Sequence, residues 1–387
     1  MIELLFLLLP IAAAYGYYMG RASLRDKKIQ SQNAHRTNYL RGVEYLLKHR
    51  QDKAVDRFIA YLNEADPTFD SRMALGNLFR QRGETDKAIA LHERLASNAQ
   101  ADESENELAR LELARDFLSA GLFDRAEAIL LELTEIPRQL RPAASLLLKV
   151  YEREGEFEKA IEVAQKYRDT LGDASSLNLN EYYCELGSQA QFSGDFDKAS
   201  NYYNQALNIA PQSVRARLQL ADLCLHTQKT AEAVKLVKES YEIDVKSSLR
   251  CLEFLQRCYP NKADPNYRFA LEGLVRRTRS AGAMVELAKV TEQSSGRADA
   301  EVLLLDFLKE KSNLKIFAAL IELRAKNTDP QINASLLQLK SLMDARIASN
   351  PQYCCERCGF ESTVLFWQCP SCRRWGTLKP KDGIDGD

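Results

Sequence analysis

The sequence predicts an all-α solenoid of helix–turn–helix repeats, with one membrane-spanning helix before it and a small metal-binding module after it. Three observations carry this. A turn fingerprint recurs through the middle of the chain at a near-constant spacing. An almost uncharged apolar run fills residues 2–19. Two C-x2-C pairs stand close together in the last 34 residues.

The apolar run, IELLFLLLPIAAAYGYYM, contains one charge, Glu3. As a helix its length is about 27 Å at about 1.5 Å per residue, close to the hydrocarbon thickness of a bilayer. Pro10 kinks such a helix without preventing insertion. Arg21, Arg25, Lys27 and Lys28 follow at once, opposed only by Asp26, and Tyr15, Tyr17 and Tyr18 flank that end as an interfacial belt. No basic residue precedes the run, as one would in a secretory signal. Residues 1–20 are therefore expected to anchor the chain, with the N-terminus outside and everything after it in the cytoplasm. The alternative, a signal-like segment with the rest exported, is opposed by the charge flanks and the cysteine usage. Residues 21–37 are polar and read as a juxtamembrane connector.

The repeats are expected over residues 38–348. The fingerprint is Gly, any residue, an aromatic or Thr, an acid, a base, then Ala. It reads Gly83-ETDK-Ala88, Gly121-LFDR-Ala126, Gly155-EFEK-Ala160 and Gly194-DFDK-Ala199, with weaker forms ending at Ala54 and Ala233. Successive Ala positions are separated by 34, 38, 34, 39 and 34 residues. The tetratricopeptide (TPR) hairpin has a 34-residue period, and the two longer spacings carry short inserts. An irregular helical protein would not keep this register. In the fifth repeat Tyr183, Leu186, Gly187 and Ala190 share one helical face, Gly194 opens the turn, and Ala199, Tyr203 and Ala206 face back. Small residues at Gly187 and Ala199 allow close approach, with Tyr183 and Tyr203 filling the space beside them. One hairpin cannot bury its apolar face alone, so copies must stack on both sides. After about residue 245 the fingerprint fades while periodic apolar residues continue through the turn at Gly296. This gives about eight or nine repeats, the later ones degenerate, ending in a helix near Ile332–Ala348.

Lys and Arg number 53 against 54 Asp and Glu, a net charge of -1, which offers nucleic acid no bulk attraction. The four His (His35, His49, His92, His226) are scattered, and no nucleophile elbow, phosphate loop or dinucleotide fingerprint is present, so no enzyme is expected. Of nine Cys, Cys184, Cys224, Cys251 and Cys258 lie singly in helical segments and read as small core hydrophobes. The odd count and uneven distribution argue for a reducing compartment rather than a disulfide scaffold.

The other five Cys lie in YCCERCGFESTVLFWQCPSCRRWG, residues 353–376. Cys355 and Cys358 form one pair and Cys369 and Cys372 the other, a tetrathiolate set suiting Zn or a single Fe. Gly359 gives the first pair a permissive backbone and Pro370 stiffens the second. Phe360, Phe366, Trp367 and Trp375 are expected to pack around the site. Cys354 is a spare, which could replace Cys355 only through a less usual C-x3-C loop. A module of this size, residues 350–380, needs the metal for much of its stability. Unrelated thiol pairs or a redox C-x2-C fit the paired spacing poorly.

The ELLFLLLP…AAAYGYYMGR anchor, the TPR array and the CxxCGF…WQCPSCRRW tail, in that order, resemble the LapB family of lipopolysaccharide assembly proteins of Gram-negative bacteria over the whole chain. The tail is similar to a rubredoxin metal site. That likeness implies Cys355, Cys358, Cys369 and Cys372 as ligands and favours iron, although zinc suits the donors equally. Arg373 stands where rubredoxins carry Gly after the second pair. The resemblance implies an inner-membrane adaptor with cytoplasmic repeats that presents the LpxC deacetylase to the FtsH protease and couples lipopolysaccharide synthesis to assembly. It implies other lipopolysaccharide assembly proteins of the inner membrane as partners as well. Two other readings concern the tail. An electron-transfer protein would need iron and a redox partner. A zinc-ribbon nucleic-acid binder would draw on Arg357, Arg373, Arg374, Lys379 and Lys381, but Glu356 and Glu361 interrupt that charge and an anchor suits it badly.

Overall fold

The computed structural model describes residues 51–64, 68–98, 102–326, 330–384 and 386–387, with a few isolated positions before residue 51. The expected anchor and connector fall outside this range apart from Met19, and among the described residues no helix is long and apolar enough to cross a membrane. The chain divides into two units, residues 1–156 and 157–387.

In the first unit six helices follow one another: α1 (Gln51–Glu64), α2 (Phe69–Gln81), α3 (Thr85–Ala96), α4 (Glu103–Ala120), α5 (Phe123–Thr134) and α6 (Leu140–Glu154). The fingerprint glycines make their turns. Gly83 and Gly121 have φ of 79° and 78°, a left-handed conformation that costs Gly little. It lets Glu84 N–H reach Phe79 O and Leu122 N–H reach Phe117 O, both at 2.9 Å, closing the preceding helix. The chain then reverses, and Ala88 and Ala126 land fully buried at the hairpin contacts. Gly76 of α2 leaves no room for a Cβ against the ring of His92 on α3. His92 Nδ1 lies 2.5 Å from Asp116 Oδ2, and Arg80 donates to Asp116 Oδ1 at 2.7 Å. The scattered His92 is thus a core residue of this stack.

The second unit holds α7 (Phe157–Lys166), the short α8 (Arg168–Leu171), α9 (Asp173–Phe192), α10 (Phe196–Ile209), α11 (Val214–His226) and α12 (Thr230–Ile243). These are followed by α13 (Ser248–Cys258), α14 (Pro265–Thr278), α15 (Ala281–Ser295), α16 (Arg297–Glu310), α17 (Leu314–Ala325) and α18 (Pro330–Ser349). The fifth repeat is α9 with α10. Gly187 abuts the Tyr203 ring with no space for a Cβ, and Ala199 is fully buried. Tyr183 differs from expectation. It is half-buried, its ring 6.2 Å from that of Tyr202, while Tyr182 is the fully buried tyrosine and packs on Phe157. One residue along a helix rotates a side chain by about 100°, enough to exchange these two places.

The fading fingerprint has a physical reading. In the sixth repeat Gln228 takes the turn position with φ 61°, and Lys229 N–H reaches Cys224 O at 2.8 Å, as Asp195 N–H reaches Ala190 O in the fifth. Arg279 does the same after α14 with φ 51°. The turn survives without its Gly because the hairpin packing holds it. One core runs from Leu218 on α11 to Leu323 on α17 and takes in Cys224, Cys251 and Cys258. Cys184 is buried beside Ala206 and Ala216. Burial pushes the thiols of Cys184 and Cys251 up to about 12, which keeps them protonated and inert.

Candidate metal centre

After α18 the chain forms a small antiparallel sheet in the order β2-β1-β3, with β1 at Tyr353–Cys355, β2 at Glu361–Ser362 and β3 at Leu378–Pro380. Strand alternation turns Tyr353 and Cys355 inward and leaves Cys354 on the other face. Cys355 therefore joins the cluster, and Cys354 Sγ lies against the Cys355 carbonyl instead, at 3.8 Å.

Two similar turns carry the pairs. Gly359 N–H returns to Cys355 O and Arg373 N–H returns to Cys369 O, both at 2.9 Å. Cys355 N–H donates to Phe360 O at 2.8 Å and Cys369 N–H to Arg374 O at 2.9 Å. Gly359 has φ 74° and Arg373 has φ 57°. Arg373 thus performs the turn that a Gly would make more cheaply, and the second knuckle closes as the first does. The sulfurs of Cys355, Cys358, Cys369 and Cys372 all lie within 4.8 Å of one another. Cys355 is 3.7 Å from Cys372, and Cys358 is 3.7 Å from Cys369. A tetrahedral ion with metal–sulfur bonds of about 2.3 Å separates its sulfurs by about 3.8 Å, so the four thiols fit such a group closely.

The surroundings favour thiolates unequally. The Thr377 hydroxyl, 3.3 Å from Cys355 Sγ, and the backbone N–H groups of Cys358 and Arg357 hold Cys355 down to about 6. The backbone of Phe360 lowers Cys358. Burial pushes Cys369 up to about 11, against hydrogen bonds from the backbone of Cys372 and Ser371. A bound cation deprotonates its thiol ligands outright and overrides such differences.

The aromatic residues divide differently from expectation. Phe360 packs beside the cluster with Leu365 and with Leu249 of α13. Trp367 leaves the site and packs against the repeat core, and Phe366 is largely exposed. The guanidinium of Arg215 on α11 lies 5.7 Å from the Trp367 ring and 5.1 Å from the Trp375 ring. It donates to Glu181 at 2.8 Å and to Glu185 at 2.6 Å, both on α9. A metal-bearing tail is in this way fastened to the repeats by a buried cation and two indoles. Beyond β3 the chain returns to the helices. Asn313 donates to the carbonyls of Gly383 and Gly386, Leu314 N–H donates to Ile384 O, and Asp387 accepts from Ser248 Oγ and Gly282 N–H. Neither Arg215 nor this final strap was visible in the sequence, since their partners lie more than 100 residues away along the chain.

Comparison with known proteins agrees with this geometry. Residues 353–380 match the family model described as a rubredoxin metal binding domain, and residues 71–105 and 193–249 match tetratricopeptide repeat models. Lipopolysaccharide assembly protein B of Escherichia coli K12 is 34% identical over 388 residues, covering 100% of both chains. The chain belongs to the lipopolysaccharide assembly protein B family. The Haemophilus influenzae Rd member is likewise 34% identical, over 391 residues and 98% of each chain. Among solved structures, the C-terminal part of a TPR repeat-containing protein from Cytophaga hutchinsonii is 12% identical and covers 64% of this chain and 99% of its own, with a TM-score of 0.40. Family membership, repeats that present surfaces to other proteins, and a possible tetrathiolate metal site describe an assembly protein.

Proposed function

We propose that this chain is a single-pass inner-membrane adaptor that limits lipopolysaccharide synthesis by presenting LpxC to FtsH, and that it performs no catalysis of its own. The observation that carries the reading is the co-linear likeness to lipopolysaccharide assembly protein B from end to end. Residues 1–20 serve as the anchor, 21–37 as a connector, 38–348 as the client-binding array on the cytoplasmic side, and 350–380 as the metal module. Cys355, Cys358, Cys369 and Cys372 hold one Zn or Fe ion, which supplies the stability that so small a module cannot draw from a core of its own. Thr377 and the knuckle N–H groups orient the sulfurs and neutralise part of their charge. Tethering raises the local concentration of a soluble client near a membrane-embedded protease.

The test removes the tether. A chain beginning at Arg21 and expressed at native abundance should fold, bind its soluble client and fail to restrain LpxC levels. Replacing residues 1–20 by an unrelated span of the same orientation should restore control if the segment is only a tether. An untethered chain that controls LpxC as well as the full one would sink the adaptor reading.

A further inference from the structure

A cleft of about 380 Å3 lies between the metal module and the helices beneath it, within the size range of ligand pockets. Leu218 of α11 and Leu249 of α13 line it from the array, and Leu365, Trp367 and Leu378 line it from the module. Its charged groups are already matched. Lys246 pairs with Glu356 at 2.7 Å, Lys379 with Asp244 at 2.8 Å, and Arg250 with Glu253 at 2.7 Å, while Arg215 serves Glu181 and Glu185. Four cations therefore stand against five carboxylates, so an anionic ligand gains nothing there. A cationic ligand would have to break pairs already made.

Two donors at this cleft lack acceptors. The Nε–H groups of Arg215 and Arg250 are buried without a hydrogen-bond partner, and both residues line the cleft. Arg215 as a whole is only 5% exposed. Buried donors are ordinarily satisfied, and two orphans beside one apolar cleft call for neutral acceptors. A peptide carbonyl is a strong neutral acceptor that brings apolar side chains with it. We propose that the cleft binds a short, uncharged, apolar segment of a partner protein in extended form. Its backbone carbonyls accept from Arg215 and Arg250, and an apolar side chain rests between Leu218 and Trp367. Strand β3 runs along the cleft at the edge of the sheet, but Pro380 has no N–H to offer, so specificity rests on the guanidinium groups and the apolar walls rather than on an added strand. This site requires the docked module and is independent of which clients the adaptor joins.

Trp367 and Trp375 are the two tryptophans of the chain, and both stand at this junction, so intrinsic emission reports occupancy. The metal-loaded full chain in detergent is titrated with N-acetyl-Gly-Leu-Val-Leu-Gly-amide, with the same peptide carrying Glu at both Leu positions, and with the form carrying Lys there. The neutral peptide should give a saturable change in emission and the charged ones none. Ala210→Phe places a ring in the cleft from the end of α10 and should weaken binding at least tenfold. Arg250→Lys keeps a charge opposite Glu253, removes the Nε–H and should weaken it several-fold, with metal content and helicity unchanged. No saturable change with the neutral peptide, equal binding of the charged peptides, or parental affinity in both variants would each overturn the proposal.

Discussion

At the residue scale the metal site turns on which cysteines the strand alternation directs inward. Cys355 points into the cluster and Cys354 away from it. Cys355→Ser or Cys372→Ser should release the metal and unfold the module while the repeats stay helical, whereas Cys354→Ser should keep the metal. Metal content per chain, measured after dialysis, decides between them, and loss of metal from Cys354→Ser with retention in Cys355→Ser would refute the assignment. This pairing was legible because each C-x2-C is local, and a knuckle brings its own sulfurs together whatever surrounds it. Arg215 was not. In sequence it is one more arginine on a helix, and only folding brings Trp367 and Trp375 to its faces.

At the scale of the element, the Gly-to-Ala fingerprint fixed the hairpins because both residues answer steric demands, a left-handed turn and a close helix contact. Ala199 is fully buried where α10 meets α9. Ala199→Leu should overpack that contact and cost about 1–3 kcal/mol, seen as a lower midpoint in thermal unfolding. An unchanged midpoint would mean that the register is misplaced. The later repeats were harder to delimit because Gln228 and Arg279 hold turn positions that a search for Gly passes over. Their helices remained visible through apolar periodicity alone, down to α18, whose expected limits fall within two residues of those found. The exchange of Tyr182 for Tyr183 has a similar source. Adjacent tyrosines on a helix satisfy the same composition, and packing against Phe157 chooses between them.

At the scale of the second unit, the metal module is held by widely separated contacts: Trp367 and Arg215, Lys246 with Glu356, and the strap ending at Asp387. Removal of the metal by a strong chelator should therefore expose backbone amides of residues 353–380 to hydrogen exchange and shift tryptophan emission to the red. Protection of α9 to α17 should largely remain, since their core is continuous without the module. Loss of protection throughout the unit on chelation would mean that the array depends on the module for its fold.

The strap and the two indoles also set a schedule for synthesis. Arg215 leaves the ribosome 138 residues before Tyr353, a delay of roughly 7–28 s at about 5–20 residues per second. Throughout that interval the nascent array stands folded with Leu218, Leu249 and the Arg215 cation uncovered, a sticky face open to holding chaperones. Seating of the metal-loaded tail closes it. The final few dozen residues thus act as a seal of completion: a chain that stalls early, or is made in metal-starved cells, keeps its unfinished face on display to the quality-control machinery.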